Sequence, residues 1–196
     1  MSEISFINTN AIELKLNDKE ICRYLNMRAC DGALCELIDG CKKEVAGIAS
    51  PKAVFAKVSV KALNEKLSLG FGDVCSKKLA KNLCGCGEAF VFCATLGQEV
   101  DRLINKYSKI EPSRAIVLDS VATAMIEEFC DYVNDILGEN RSLRPRFSCG
   151  YGDFDIKHQA EILDFLDAKK RIGVYLLDSY MMTPFKTVTA IVGIAK

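Results

Sequence analysis

The side chains of this chain that could do chemistry fall into three groups. The first is the string Arg144-Pro145-Arg146-Phe147-Ser148-Cys149-Gly150-Tyr151-Gly152-Asp153-Phe154, which sets two guanidinium groups, a thiol, a phenol and a carboxylate around two glycines. The second is the cysteines, ten of them, at positions 22, 30, 35, 41, 75, 84, 86, 93, 130 and 149. The third is the only histidine, His158. It falls at the start of an expected helix, so no catalytic triad is in view, and the chain carries neither a Walker-type phosphate loop nor a dinucleotide fingerprint. Cys84-Gly85-Cys86 is the only close cysteine pair, and it lacks the two-residue spacer of a zinc knuckle. The other thiols are scattered through apolar segments, as Cys93 is in Phe90-Val91-Phe92-Cys93-Ala94, and read as reduced, metal-free small hydrophobes. Taken as single residues, Arg146 reads as the partner of a surface carboxylate, Tyr151 as core, and Glu127 as the solvated face of a long helix.

The elements that must position these groups follow from periodicity and punctuation. Asp18 to Met27 reads as a short helix, and Asp31 as the cap of a second that runs to about Ala49 and stops before Pro51. Residues 53–60 alternate as a strand, Ser76 to Leu83 reads as a short helix, and Glu88 to Thr95 reads as a buried strand. Gly97 opens a helix through Tyr107. The strongest element is a helix over Pro112 to Leu137, with Pro112 in its first turn and Gly138 ending it. Its apolar stripe is Ile116, Val117, Val121, Ala124, Met125, Phe129, Tyr132, Val133 and Ile136. Arg144 to Phe154 is a glycine-containing loop without helical period. Gln159 to Leu166 is a helix, and Ile172 to Leu176 and Thr187 to Ile194 are two final strands joined around Pro184. Strands and helices mix without regular βαβ alternation, so the fold class is α+β, as a single domain over residues 1–196.

Composition narrows the function classes. Hydrophobic residues make up 49% of the 196, enough for a packed core. Lys plus Arg and Asp plus Glu are both 26, a balance that gives no footprint for nucleic acid or an acidic membrane surface. No apolar run reaches the roughly 18 residues of a membrane-spanning helix. Residues 1–10 show no secretory pattern, and the expected location is cytoplasmic.

A specific signal lies in the last third. Arg146 to Tyr151 has the form Arg-x-x-x-Gly-Tyr; after it come Arg171-Ile172-Gly173-Val174, Ser179-Tyr180-Met181-Met182-Thr183-Pro184 and Thr187-Val188-Thr189-Ala190. Upstream stand Ala94-Thr95-Leu96-Gly97 and Leu118-Asp119-Ser120-Val121-Ala122. In this order the motifs resemble the activation (reactivation) domain of cobalamin-dependent methionine synthase, in its free-standing form. The resemblance covers residues 85–194 well and the first 80 weakly. It implies a twisted, mainly antiparallel sheet flanked by helices, and a component of a methyltransferase activity. It also implies that S-adenosylmethionine binds through Arg146, Ser148, Gly150 and Tyr151, with Glu127 as the acid facing the ligand; Glu128 points about 100° away on the helix. In that role Arg146 would hold the ligand carboxylate by a two-pronged hydrogen bond, and Gly150 would let backbone approach it. The implied function is reductive remethylation of cobalamin carried by a separate methionine synthase or corrinoid protein. An electron-donor protein would be a further partner, and helical and strand patterns from about residue 12 to 194 leave no room for a linker. Two alternatives stand beside it: a non-catalytic adaptor that has lost S-adenosylmethionine, and a redox or metal sensor using Cys84, Cys86 and Cys149. Cys149 stands where the family loop usually has proline, and a loop thiol near Arg146 could have a lowered pKa.

Overall fold

The computed structural model describes residues 3–27, 32–63 and 66–195. Its centre is a five-stranded, wholly antiparallel sheet in the order β1-β2-β6-β10-β7: β1 (Ile4–Asn8), β2 (Lys52–Ser59), β6 (Glu88–Thr95), β10 (Thr187–Ala195) and β7 (Ser142–Leu143). Strand alternation sends successive side chains to opposite faces. Phe90, Phe92 and Ala94 of β6, Ala53 of β2, and Ala190 and Val192 of β10 enter one core. Ala89, Val91 and Cys93, Val54, Ala56 and Val58, and Ile191 enter a second core on the other face.

Four helices cover the first face: α1 (Asp18–Tyr24), α2 (Gly32–Ile48), α4 (Gln98–Ile110) and α5 (Pro112–Leu137). α1 begins at Asn17, whose side chain accepts a hydrogen bond from the Lys19 amide. The proposed cap of α2, Asp31, lies outside the described residues. α5 has the bounds its pattern predicts, but its buried surface is wider than the stripe. Leu118, Ala122, Ile126 and Cys130 are buried, while Ile116, Tyr132 and Ile136 are exposed. The reason is that α5 packs against α1, α2, α4 and the sheet together, so its core face is not a single seam. The second face is covered by α3 (Lys77–Asn82), α6 (His158–Phe165), α7 (Ala168–Ile172) and a small sheet of β3 (Lys61–Leu63), β4 (Lys66–Leu69) and β5 (Gly72–Val74).

Several expectations are corrected here. Ile172 does not open a strand; it ends α7, and only β8 (Tyr175–Leu176) follows, paired with β9 (Met182–Thr183). The sequence pattern missed β1 and the small sheet, whose members are too short to set a period. Cys22 is disulfide-bonded rather than reduced. The eight other described cysteines are free thiols.

β10 is tied down at its start by polar contacts. The Asp101 carboxylate accepts the Phe185 amide at 2.7 Å, and the Lys186 amine reaches Asp119 at 2.8 Å and the Thr123 hydroxyl at 2.8 Å. Burial pushes the Asp101 carboxyl upward, partly offset by the Phe185 amide and the Lys186 charge. At its far end β10 passes close under the turn that follows α3. A Cβ built on Gly193 would meet Cys86 Sγ and Leu83 Cδ2, both at 2.8 Å. Gly193→Ala is therefore expected to destabilise the fold by about 1–3 kcal/mol in chemical denaturation. The added Cys86→Ala change should recover part of that loss, and an additive double variant would show that the contact is not the cause.

Candidate functional site

The outer edge of β10 decides where the glycine loop sits. After β7 the chain continues along β10: the Arg144 amide donates to the Gly193 carbonyl at 2.8 Å, and Phe147 and Ile191 exchange two amide–carbonyl bonds of 2.9 Å. Neighbouring residues on this extended segment face opposite sides. Phe147 enters the second core, and Arg146 turns to the helical side. There its Nη2 donates to Glu127 Oε2 at 2.9 Å and its Nη1 to Asp131 Oδ1 at 2.8 Å, both on α5. The arginine side chain is 21% exposed, Glu127 46% and Asp131 65%. The expected partners Arg146 and Glu127, 19 residues apart in sequence, are thus in direct contact.

Beyond Phe147 the chain folds back in a tight loop. The Tyr151 amide donates to the Ser148 carbonyl at 3.2 Å, and the Gly150 amide donates to the Phe154 carbonyl at 2.8 Å. Gly150 has φ +83°, a left-handed conformation that a side chain disfavours, and a Cβ there would press on Ile156 Cδ1 at 3.1 Å. Tyr151 is not core: it is 68% exposed and stands edge-on to Phe147 with ring centres 5.3 Å apart. Arg146 with Glu127 faces the helical layer, whereas Ser148, Gly150 and Tyr151 belong to the turn that follows. His158 stacks on buried Phe154 at 5.4 Å and its Nδ1 lies 2.7 Å from Glu161.

The loop is anchored from its far side. Asp153 accepts from the Ser76 hydroxyl at 2.6 Å and from the Lys77 and Lys78 amides at 2.8 and 3.2 Å, satisfying donors at the start of α3. These bonds, the Ser76 hydroxyl foremost, hold the Asp153 carboxyl below its ordinary range. Asn82 at the other end of α3 donates to the Pro145 carbonyl at 3.1 Å.

Glu127 and Asp131 also line a cavity of about 220 Å³ between α5 and α1, together with Asn17, Glu20, Tyr24, Glu128 and Arg23, whose guanidinium pairs with Glu20. Burial raises the Glu128 carboxyl, and the charges of Asp131 and Asp135 raise it further. The sequence reading missed Asp131 as a partner of Arg146, and Asn17, Glu20, Arg23 and Tyr24 as walls of the cavity beside Glu127. Only Asp131 had a legible signal, being one helical turn beyond Glu127. Cys149 does not have the lowered pKa that a sensor would need. Burial pushes its thiol up to about 12, against a hydrogen bond from the Thr189 side chain. Cys130 is likewise pushed up to about 12 by burial, although the Arg146 charge opposes this. Cys84 is exposed and Cys86 is buried.

No family profile matches the chain, and no curated protein matches it. Among solved structures, the chain is similar to a crystal structure of the MetH reactivation domain bound to AdoHcy. The TM-score is 0.73 at 13% identity, and the match covers 97% of this chain and 78% of that one. The fold is that of the reactivation domain: a mainly antiparallel sheet with flanking helices, as the motif order implies.

Two outcomes follow. In native protein near pH 8, alkylation read by mass spectrometry should reach Cys35, Cys75 and Cys84 first and leave Cys93, Cys130 and Cys149 protected. Fast labelling of Cys149, which is half-buried, would contradict its raised pKa. Asp153→Ala should lower the thermal midpoint at neutral pH. Because the native carboxyl is held below its unfolded value of about 3.9, its contribution is complete above that pH and is lost as pH falls through the native value. The gap between wild type and variant should therefore close below about pH 4, and a gap independent of pH would mean that charge plays no part in the anchor.

Proposed function

We propose that this protein binds S-adenosylmethionine at the loop bearing Arg146 and Tyr151 and assists reductive remethylation of cobalamin held by a partner. The observation that carries the reading is the meeting of Arg146 with the α5 carboxylates beside the left-handed turn at Gly150, within a fold that covers nearly the whole chain. The neighbour of the same fold was crystallised with AdoHcy, the demethylated form of that methyl donor.

The residues suit the ligand's chemistry. Two of the five N–H donors of Arg146 are engaged by Glu127 and Asp131, and the guanidinium has further donors for the ligand carboxylate. The cavity between α1 and α5 is lined by four carboxylates against one cation, Arg23, and that excess offsets a ligand ammonium and sulfonium. At about 220 Å³ this cavity is below the roughly 300–1,000 Å³ usual for whole small-molecule sites, so it suits the amino-acid end alone. The exposed Tyr151 ring offers an aromatic face and a hydroxyl next to the turn. When bound, S-adenosylmethionine supplies a methyl group from its sulfonium centre. The chain's own part is to bind and orient that donor toward the cobalamin of a partner module, while an electron-donor protein supplies the reducing electron.

Calorimetric titration with S-adenosylmethionine tests the reading. Arg146→Ala removes a charge-assisted pair and should weaken binding by about 2–4 kcal/mol, some thirtyfold to nearly a thousandfold. Glu127→Gln should cost less, and circular dichroism should show both variants folded. Absence of binding by the wild type at millimolar ligand would favour the adaptor alternative, and normal binding by Arg146→Ala would remove this loop from the site.

A further inference from the structure

Arg146 already holds two carboxylates, and they are not equivalent. Glu127 and Asp131 lie four residues apart on α5, one turn along the same face, so the guanidinium bridges them with one terminal nitrogen each. A ligand carboxylate recognised by the same guanidinium would bring a third negative charge to a cation that two already neutralise. The donors left on the guanidinium can take it, but it then competes with Glu127 and Asp131 for the same charge. Asp131 is the weaker holder: it is 65% exposed against 46% for Glu127, and an exposed ion pair contributes little against solvent.

The geometry points to Asp131 as a built-in stand-in for the ligand carboxylate, a residue that keeps Arg146 oriented in the ligand-free protein and competes with the ligand for it. This rests on the reading of Arg146 as the carboxylate anchor. It makes Asp131 a specificity-determining residue, because its charge acts in opposite directions on the two ends of the ligand. It opposes the carboxylate at Arg146, and it favours the cationic groups in the cavity that it lines with Glu127, Glu128 and the Glu20–Arg23 pair. The net effect is selection between methyl donors with and without a carboxylate. Asp131 narrows the preference for S-adenosylmethionine over its decarboxylated analogue, which carries the sulfonium and amine alone.

The full-length chain and its Asp131→Asn and Asp131→Glu variants would be titrated with S-adenosylmethionine and with decarboxylated S-adenosylmethionine. Asp131→Asn should tighten S-adenosylmethionine about two- to fivefold, as expected from the loss of a competing exposed ion pair, and should leave the decarboxylated analogue unchanged or weaker. Asp131→Glu, which keeps the charge, should stay near wild type for both. Unchanged or weakened S-adenosylmethionine binding by Asp131→Asn, or equal tightening of both ligands, overturns the role of Asp131 while leaving Arg146 as anchor. If neither wild type nor Asp131→Asn binds S-adenosylmethionine at millimolar concentration, with native circular dichroism, the anchor reading falls and the role of Asp131 falls with it.

Discussion

Everything in this fold depends on one strand that has no solvent face. Every residue of β6 after Glu88 is buried. A buried backbone must find all its hydrogen bonds within the protein. β6 finds them in β2 on one side and β10 on the other, each paired through eight residues. Its side chains fill two cores instead of one, so helices must close one face and a second layer must close the other. The distant ends of the chain are drawn in by the same demand, since β10 comes from the last residues described.

The loop inherits its position from that sheet. β10 is satisfied by β6 along its inner edge, and its outer edge accepts β7 and then Phe147. Once Phe147 is pinned into the second core, pleating leaves Arg146 no direction but toward α5. The carboxylates that meet it there are held by a helix packed against α1, α2, α4 and the sheet. The anchoring at Asp153 works from the opposite layer, so the turn around Gly150 is fixed between α3 and the edge of the sheet. The polar groups that hold these connections are few, and each replaces hydration that the surrounding packing has removed.

Charge in this protein matters locally. The whole chain balances 26 basic against 26 acidic residues, which gives no long-range field to steer a polyanion. Around Arg146 the balance differs: Glu127 and Asp131 hold one guanidinium, and the cavity they line adds Glu128 and the Glu20–Arg23 pair. An arginine in this setting is oriented before any ligand is present, at the cost of anions that any anionic ligand has to face. The thiols nearby, buried Cys130 and half-buried Cys149, are the opposite case. Cys130 and Cys149 lie where burial opposes ionisation, so packing is the role that fits them.

The sequence alone determined the long elements and the class of fold. α5 and β6 have the bounds that Pro112, Gly138 and the Phe-Val-Cys run predict, because their periodicity is long and their stops are strong. The loop was legible too, through the spacing of Arg146, Gly150 and Tyr151, since φ +83° at Gly150 is a need that one residue type announces. Elements of two to five residues were not legible. β1, the small sheet and α7 are held by contacts with the main sheet and its layers rather than by a period of their own. The cavity walls from α1 and the exposure of Tyr151 were decided by tertiary structure alone. Periodicity says which face of an element is apolar, whereas which faces meet depends on how the sheet twists and what covers it. Glu20 and Asp131 are 111 positions apart in the chain, and only the packing of α1 on α5 makes them walls of one cavity.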